Sequence, residues 1–198
     1  MNELLQTSNY YIEAYDDGFF PVFYKGGRGT TVIAGVEVNS ELVVSRLGIT
    51  SVRVDQGASQ RAIIEISKKF NGSIIILDGV TYAGFDVVDP RILASTTGKG
   101  VIVVFQYPLN LQRIKNALYE HFEDWKERYR VIEEVYSESM YYNTPWKPIR
   151  INITGISREE AFNVVKNTCI YSPIPEPLRI ADKIASTIAK IKLRMYHM

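Results

Sequence analysis

From residue 11 onward, short apolar runs closed by acids or glycines alternate with longer stretches of helical spacing. Residues 11–15 read as a first strand, stopped by Asp16-Asp17-Gly18, and a loop over 19–29 follows with Lys25, Gly26, Gly27, Arg28 and Gly29. Residues 31–38 and 41–46 are β-rich, and only Asn39-Ser40 breaks them, which predicts a tight hairpin. Residues 49–54 extend its second arm or form a third strand. The period then changes. Ala62, Ile63, Ile66 and Phe70 share one face of a helix over 58–70, Arg61, Glu65, Lys68 and Lys69 lie off that face, and Asn71-Gly72 closes it.

Residues 74–77 are continuously apolar, as a strand buried on both faces should be, and they stop at Asp78-Gly79. Residues 90–97 predict a helix with Pro90 at its first position and Gly98 past its end. The next buried strand is 101–105. Residues 111–129 predict one helix charged on one side, 137–146 a polar, aromatic loop or lid, and 149–153 a further strand. Ser157 and Glu160 offer a capping box for a helix through 167, and a final helix runs from about Glu176 toward Arg194. This order predicts a single α/β domain over residues 1–198. Its sheet is mixed, with antiparallel hairpin strands first and helices on both faces, not a purely parallel doubly wound sheet.

Composition narrows the chemistry. Hydrophobic residues are 46% and charged residues 23%, enough for a sizeable core. With a formal net charge of +1, affinity for nucleic acid has to come from a local cluster. Thirteen Tyr and eight Phe suit packed sheets first and base-stacking surfaces second. The one cysteine, Cys169, with His121 and His197, excludes a disulfide framework and makes a His/Cys metal site improbable. A carboxylate site for a hard cation stays open. The polar opening, 1–10, and the lack of a run of ~18 apolar residues predict a cytoplasmic chain with no membrane partner.

Acids follow the strands: Asp16-Asp17 the first, Asp55 the third, Asp78 the fourth. Strand ends that point the same way gather these carboxylates at one rim, where Mg²⁺ or Mn²⁺ relieves their repulsion. Two such ions can activate water and stabilise a leaving oxygen in phosphodiester hydrolysis. An acid after a strand is more often a turn former or helix cap, a reading strongest for Asp86 and Asp89, because Asp89-Pro90-Arg91 is a natural helix start. Gly26-Gly27-Arg28-Gly29 lacks the Lys-Ser/Thr ending of a P-loop, and the segment from Gly79 to Gly84 lacks dinucleotide spacing. Lys183, Lys190, Lys192 and Arg194 suit a solvated helix face or a nucleic-acid backbone.

Four segments carry a resemblance: Ala14-Tyr15-Asp16-Asp17-Gly18, the string from Leu77-Asp78-Gly79 to Asp89, Thr97-Gly98-Lys99 with the strand to Val104, and Ile174-Pro175-Glu176-Pro177-Leu178-Arg179-Ile180-Ala181-Asp182. In these the chain resembles the archaeal family of proteins related to endonuclease V. That enzyme has an Asp ending its first strand, an Asp-Gly ending its central strand and a Pro-Glu-Pro-x-Arg opening to its last helix. The resemblance implies a ribonuclease H-like fold and a Mg²⁺- or Mn²⁺-dependent endonuclease acting on DNA or RNA near deaminated bases. It implies Asp16 and Asp78 as catalytic, metal-facing carboxylates, with Asp182 as a further ligand. Asp17, Asp55, Tyr82, Glu176 and Arg179 are then the expected substrate contacts. Two positions depart from the pattern. Ala58 and Ser59 stand where the enzyme has a catalytic Glu, and Phe105-Gln106-Tyr107 where it has a Lys. Asp55 is the candidate replacement for the acid. The alternative reading is a binding or scaffolding domain on the same fold that has lost catalysis.

Overall fold

Strand alternation decides the layering in the computed structural model, which describes residues 11–196. The polar opening and His197 lie outside the described residues. Strands β1 (Ile12–Asp17), β2 (Thr30–Val38) and β3 (Val44–Arg53) form an antiparallel meander. Helix α1 (Ser59–Ser67) leads to β4 (Ile74–Asp78), which pairs parallel to β1. A small hairpin, β5 (Thr81–Tyr82) and β6 (Asp86–Val87), precedes α2 (Pro90–Thr97) and β7 (Gly100–Phe105), which is parallel to β4. Then come α3 (Leu111–His121), α4 (Trp125–Ser137), β8 (Met140–Asn143), β9 (Pro148–Thr154), α5 (Arg158–Thr168) and α6 (Glu176–Tyr196). The main sheet runs β3-β2-β1-β4-β7-β9-β8, with β9 antiparallel to both neighbours.

Side chains two residues apart share a sheet face. Tyr15, Ile75, Leu77, Val101, Val103 and Phe105 pack with Ile63, Leu93, Leu118 and Ile132 from α1 to α4. Ile12, Ala14, Ile74, Ile76, Ile102 and Val104 pack with Ala161, Val165, Leu178 and Ala181 from α5 and α6. Each fully buried Val, Leu or Ile side chain here contributes about 1.5–3 kcal/mol. The central strands are therefore apolar on both faces, and polarity is pushed to their ends. At Gly18 a Cβ would lie 2.6 Å from the Ala189 Cβ and 2.8 Å from the Ala185 carbonyl oxygen, so α6 rests directly on the chain just past Asp16 and Asp17.

Three expectations change. The hairpin turn is longer than two residues: the Asn39 side chain accepts from the amides of Glu41 and Val43 at 3.0 and 2.9 Å and Leu42 takes a φ of 61°, while β3 runs on as the extended second arm, one of the two readings of 49–54. The helix expected over 111–129 is two helices. Phe122 adopts extended backbone, its ring meets Phe85 edge-on at 5.8 Å, and the Arg128 guanidinium sits 4.5 Å from its centroid. The expected lid over 137–146 contains β8, an edge strand paired with β9.

Candidate active site

β1 and β4 run parallel with Tyr15 opposite Leu77, so the next residues, Asp16 and Asp78, leave neighbouring strands at the same rim. By alternation both belong to the face covered by α5 and α6. Gln106, two residues beyond Val104, the partner of Asp78 on β7, continues the same row. Its amide donates to an Asp78 carboxylate oxygen at 2.6 Å.

Burial and mutual repulsion shape the charges. Burial, then the charges of Asp78 and Asp17, push the Asp16 carboxyl up to about 8, although the Asp17 amide donates to it at 2.8 Å. Burial pushes Asp78 up to about 6, with Gln106 opposing the rise and Asp182 adding to it. Burial likewise pushes Asp17 up to about 6, against a 2.9 Å hydrogen bond from the Ala83 amide. Asp182 reaches these acids through its field. Its side chain is 44% exposed, 3.3 Å from the Lys183 ammonium, and accepts from the Ser186 hydroxyl at 3.1 Å.

The expected substrate contacts divide. Tyr82 is 1% exposed; its hydroxyl donates to the Tyr15 carbonyl at 3.2 Å and accepts from the Asp78 amide at 3.1 Å. It ties the ends of β1 and β4 together and is sealed from a substrate. Asp55 is also buried, with a φ of 64°. Its two oxygens accept from Gly26 and Phe85 amides at 2.9 and 2.7 Å, so it clamps the 19–29 loop to the β5–β6 hairpin, with both oxygens turned to backbone amides. Gly84 permits this clamp, since a Cβ there would meet Asp55 at 2.2 Å. Glu176 and Arg179 pair at 2.6 Å on the first turns of α6, three residues apart, with Asp182 three further on.

Two features go beyond the sequence reading here: the distant helix that Asp86, expected as a turn former or helix cap, turns out to cap, and the role of Gln106. Asp86 accepts from the amides of Gly57, Ala58 and Ser59 at 2.5, 2.9 and 3.2 Å and from the Ser59 hydroxyl at 2.9 Å. It caps α1 from 27 residues away, where Ala58 offers no capping side chain. For Gln106, which stands where the resemblance expects a Lys, the available signal is its place two residues beyond Val104, on the row that carries Asp78. Asp89 caps α2 as its Asp-Pro-Arg string predicts, accepting from the Arg91 amide at 2.9 Å.

A pocket of about 210 Å³ opens beside Asp78, lined by Gly79, Val104, Phe105, Gln106, Tyr107 and Leu109. Among the described residues no group of three or more His, Cys, Asp or Glu is gathered into a metal cage. The pair Asp16 and Asp78 still fits a hard cation. Its donors are all carboxylate oxygens, and Mg²⁺ commonly takes one or two carboxylates and fills the rest of its shell with water and phosphate oxygens. A cation would also offset the burial and the neighbouring negative charge that hold both carboxyls up.

An antiparallel meander followed by two parallel strands, with paired acids at the ends of β1 and β4, defines a ribonuclease H-like α/β protein. Residues 9–189 match the family described as Endonuclease dU, and the chain belongs to that family. The UPF0215 protein of Thermococcus gammatolerans is 33% identical over 182 residues, covering 89% of this chain and 91% of the relative. A protein of unknown function from Archaeoglobus fulgidus has a similar structure, with a TM-score of 0.76 at 22% identity over 91% of this chain and 98% of its own. Endonuclease V of Bacillus subtilis shares the fold, with a TM-score of 0.62 at 13% identity over 93% of this chain and 82% of its own. Among the described residues no helix is long and apolar enough to cross a membrane.

Proposed function

We propose that the chain is a metal-dependent endonuclease that cuts a DNA or RNA strand near a deaminated base, with deoxyuridine, the nucleoside its family's name carries, as the first substrate. The observation that carries this reading is the Asp16–Asp78 pair at the ends of adjacent parallel strands, both carboxyls pushed up by burial and by neighbouring acids. Asp16 and Asp78 would hold Mg²⁺ or Mn²⁺, with Asp182 closing in from α6. Bound there, the cation supplies Lewis acidity to the scissile phosphate and lowers the pKa of water.

The chain's own groups do the rest. Gln106 fixes one Asp78 oxygen and opposes the rise that burial imposes on that carboxyl. Tyr82 holds the two strand ends at a constant separation. Arg179, part-exposed and paired with Glu176, would meet a phosphate oxygen. The pocket lined by Tyr107 and Leu109 suits an extruded base, and a uracil mispaired with guanine leaves the stack at low cost.

The engagement of both Asp55 oxygens favours a second reading, a nucleic-acid-binding domain without catalysis. Incubating the chain with deoxyuridine- and inosine-containing DNA and RNA, with Mn²⁺ or Mg²⁺, separates the two. The nuclease reading expects a nick beside the modified base that Asp78→Asn abolishes. Binding without a nick supports the second reading.

A further inference from the structure

We propose that the loop between β1 and β2 is a base-stacking platform for the nucleic-acid strand that enters the acidic site, with Phe19 and Phe23 against bases and Lys25 and Arg28 against flanking phosphates. The proposal rests on the nuclease reading above. The loop starts at Gly18, immediately after Asp16 and Asp17, so it leaves the sheet at the rim that carries the paired acids.

Phe19 is 55% exposed and Phe23 60%. A mobile loop would explain such exposure trivially, but this one is pinned along its length. The Gly18 amide donates to Val32 at 2.8 Å, and its carbonyl accepts from the Thr31 hydroxyl at 2.6 Å. The Gly26 amide donates to Asp55 at 2.9 Å, and the Gly29 carbonyl accepts from Val54 at 3.1 Å. Between these anchors Val22–Tyr24 make a 3-10 turn. The Tyr24 ring lies across Gly29, so close that a Cβ there would stand 2.1 Å from it, and Phe23 leans edge-on against Tyr24 at 5.1 Å. The backbone and Tyr24 thus hold Phe23 outward. Large apolar side chains kept in water by an ordered loop mark a contact surface.

Charge selects the occupant. Residues 19–29 contain Lys25 and Arg28 and no acid, and both cations are exposed. Neither forms an ion pair among the described residues. The adjoining rim is the reverse, with Asp16, Asp17, Asp78 and Asp182 together. A polyanion approaching that rim is repelled unless cations stand beside it. Exposed aromatics interleaved with unpaired cations are the composition that binds single strands by stacking and phosphate contact. An apolar protein partner would need neither cation.

The test uses the full chain in EDTA, where cutting is suppressed, and a single-stranded deoxyuridine oligonucleotide with 2-aminopurine beside the lesion. Binding should quench the 2-aminopurine. The double substitution Phe19→Ala/Phe23→Ala should weaken affinity ten-fold or more and abolish the quench, while Phe23→Trp retains both. Lys25→Gln/Arg28→Gln should flatten the salt dependence by about 1.4 log units per log unit, ~0.7 for each single-strand phosphate contact. Equal affinity and quench in the double-alanine variant would overturn the platform and leave the nuclease reading intact. No binding or cutting of any oligonucleotide by the unsubstituted chain would remove the reading itself, and the platform with it. If the double-alanine variant instead loses self-association in sedimentation, with unchanged oligonucleotide affinity, the surface belongs to a second copy and the proposal is overturned.

Discussion

The side-chain amide of Gln106 stands 2.6 Å from a carboxylate oxygen of Asp78, joining the ends of β7 and β4. A neutral donor favours the ionised carboxylate without cancelling its charge, which a bound cation needs. Gln106→Leu should therefore raise the Asp78 pKa further and weaken Mn²⁺ binding about ten-fold, since a hydrogen bond to a charged group is worth about 1.5 kcal/mol or more. Gln106→Lys should lower the Asp78 pKa and still weaken Mn²⁺, because its charge opposes the ion. Calorimetric titration with Mn²⁺ checks both, and undiminished affinity in the leucine variant would show the amide to be dispensable.

The raised acids make stability depend on pH in a stated direction. In the folded chain Asp17 and Asp78 release their protons near pH 6 and Asp16 near 8, against an ordinary value of 3.8. Between those limits the folded chain binds protons that the unfolded chain has released, so raising the pH favours unfolding. Their contribution is full below pH about 4 and is lost as the pH passes through about 6 and then about 8. Buried Glu13, also raised, adds the same sign. In EDTA the urea midpoint should fall steadily from pH 5 to pH 9, and millimolar Mn²⁺ should flatten that fall by holding the carboxylates ionised. A midpoint that rises over this range in EDTA would contradict the assignment.

Where a buried strand ended at an acid, the sequence was enough. Asp16 and Asp78 needed only the apolar runs before them and a parallel pairing to meet at one rim. Pro90 and Gly98 marked both ends of α2, and Gly98 takes the left-handed conformation, φ 70°, that favours glycine. What stayed illegible was set by distant partners. The break after His121 depends on Phe122 finding Phe85 and Arg128. Asp55 looked like a strand-end acid because nothing local reveals that Gly26 and Phe85 occupy it. β8 is four residues alternating between half-buried and exposed, and only β9 beside it makes it a strand.

The remote cap on α1 gives a stability prediction. Asp86 satisfies three backbone amides that α1 leaves open and sits 3.9 Å from Arg128. Asp86→Ala strands those amides in a part-buried place and should destabilise the chain by about 2 kcal/mol or more. Asp86→Asn should keep much of the cap and lose less. Hydrogen exchange at Gly57, Ala58 and Ser59 reads the effect locally; unchanged protection in the alanine variant would show that water replaces the carboxylate at no cost.

At the opposite end of β1, Lys99 explains itself through Glu13. Glu13 is wholly buried, and burial raises its pKa against hydrogen bonds from Lys99, Ser67 and Tyr15. The Lys99 ammonium pairs with it and also donates to the Ser67 and Phe70 carbonyls at 2.8 and 3.2 Å, bridging the start of β1 to the end of α1. The Tyr15 and Ser67 hydroxyls each donate to the other Glu13 oxygen at 2.7 Å. Removing one partner of a buried pair strands the other charge, which costs about 3–5 kcal/mol, whereas replacing both together can be nearly neutral. Lys99→Met should therefore lower the urea midpoint sharply at pH 7, and less at pH 5, where Glu13 more readily takes up a proton. Glu13→Gln/Lys99→Met should recover most of the loss, because the amide keeps an acceptor for the two hydroxyls without a charge. If the double variant is as unstable as Lys99→Met alone, the ammonium acts by tying α1 to the sheet through the Ser67 and Phe70 carbonyls, and neutralising Glu13 is secondary.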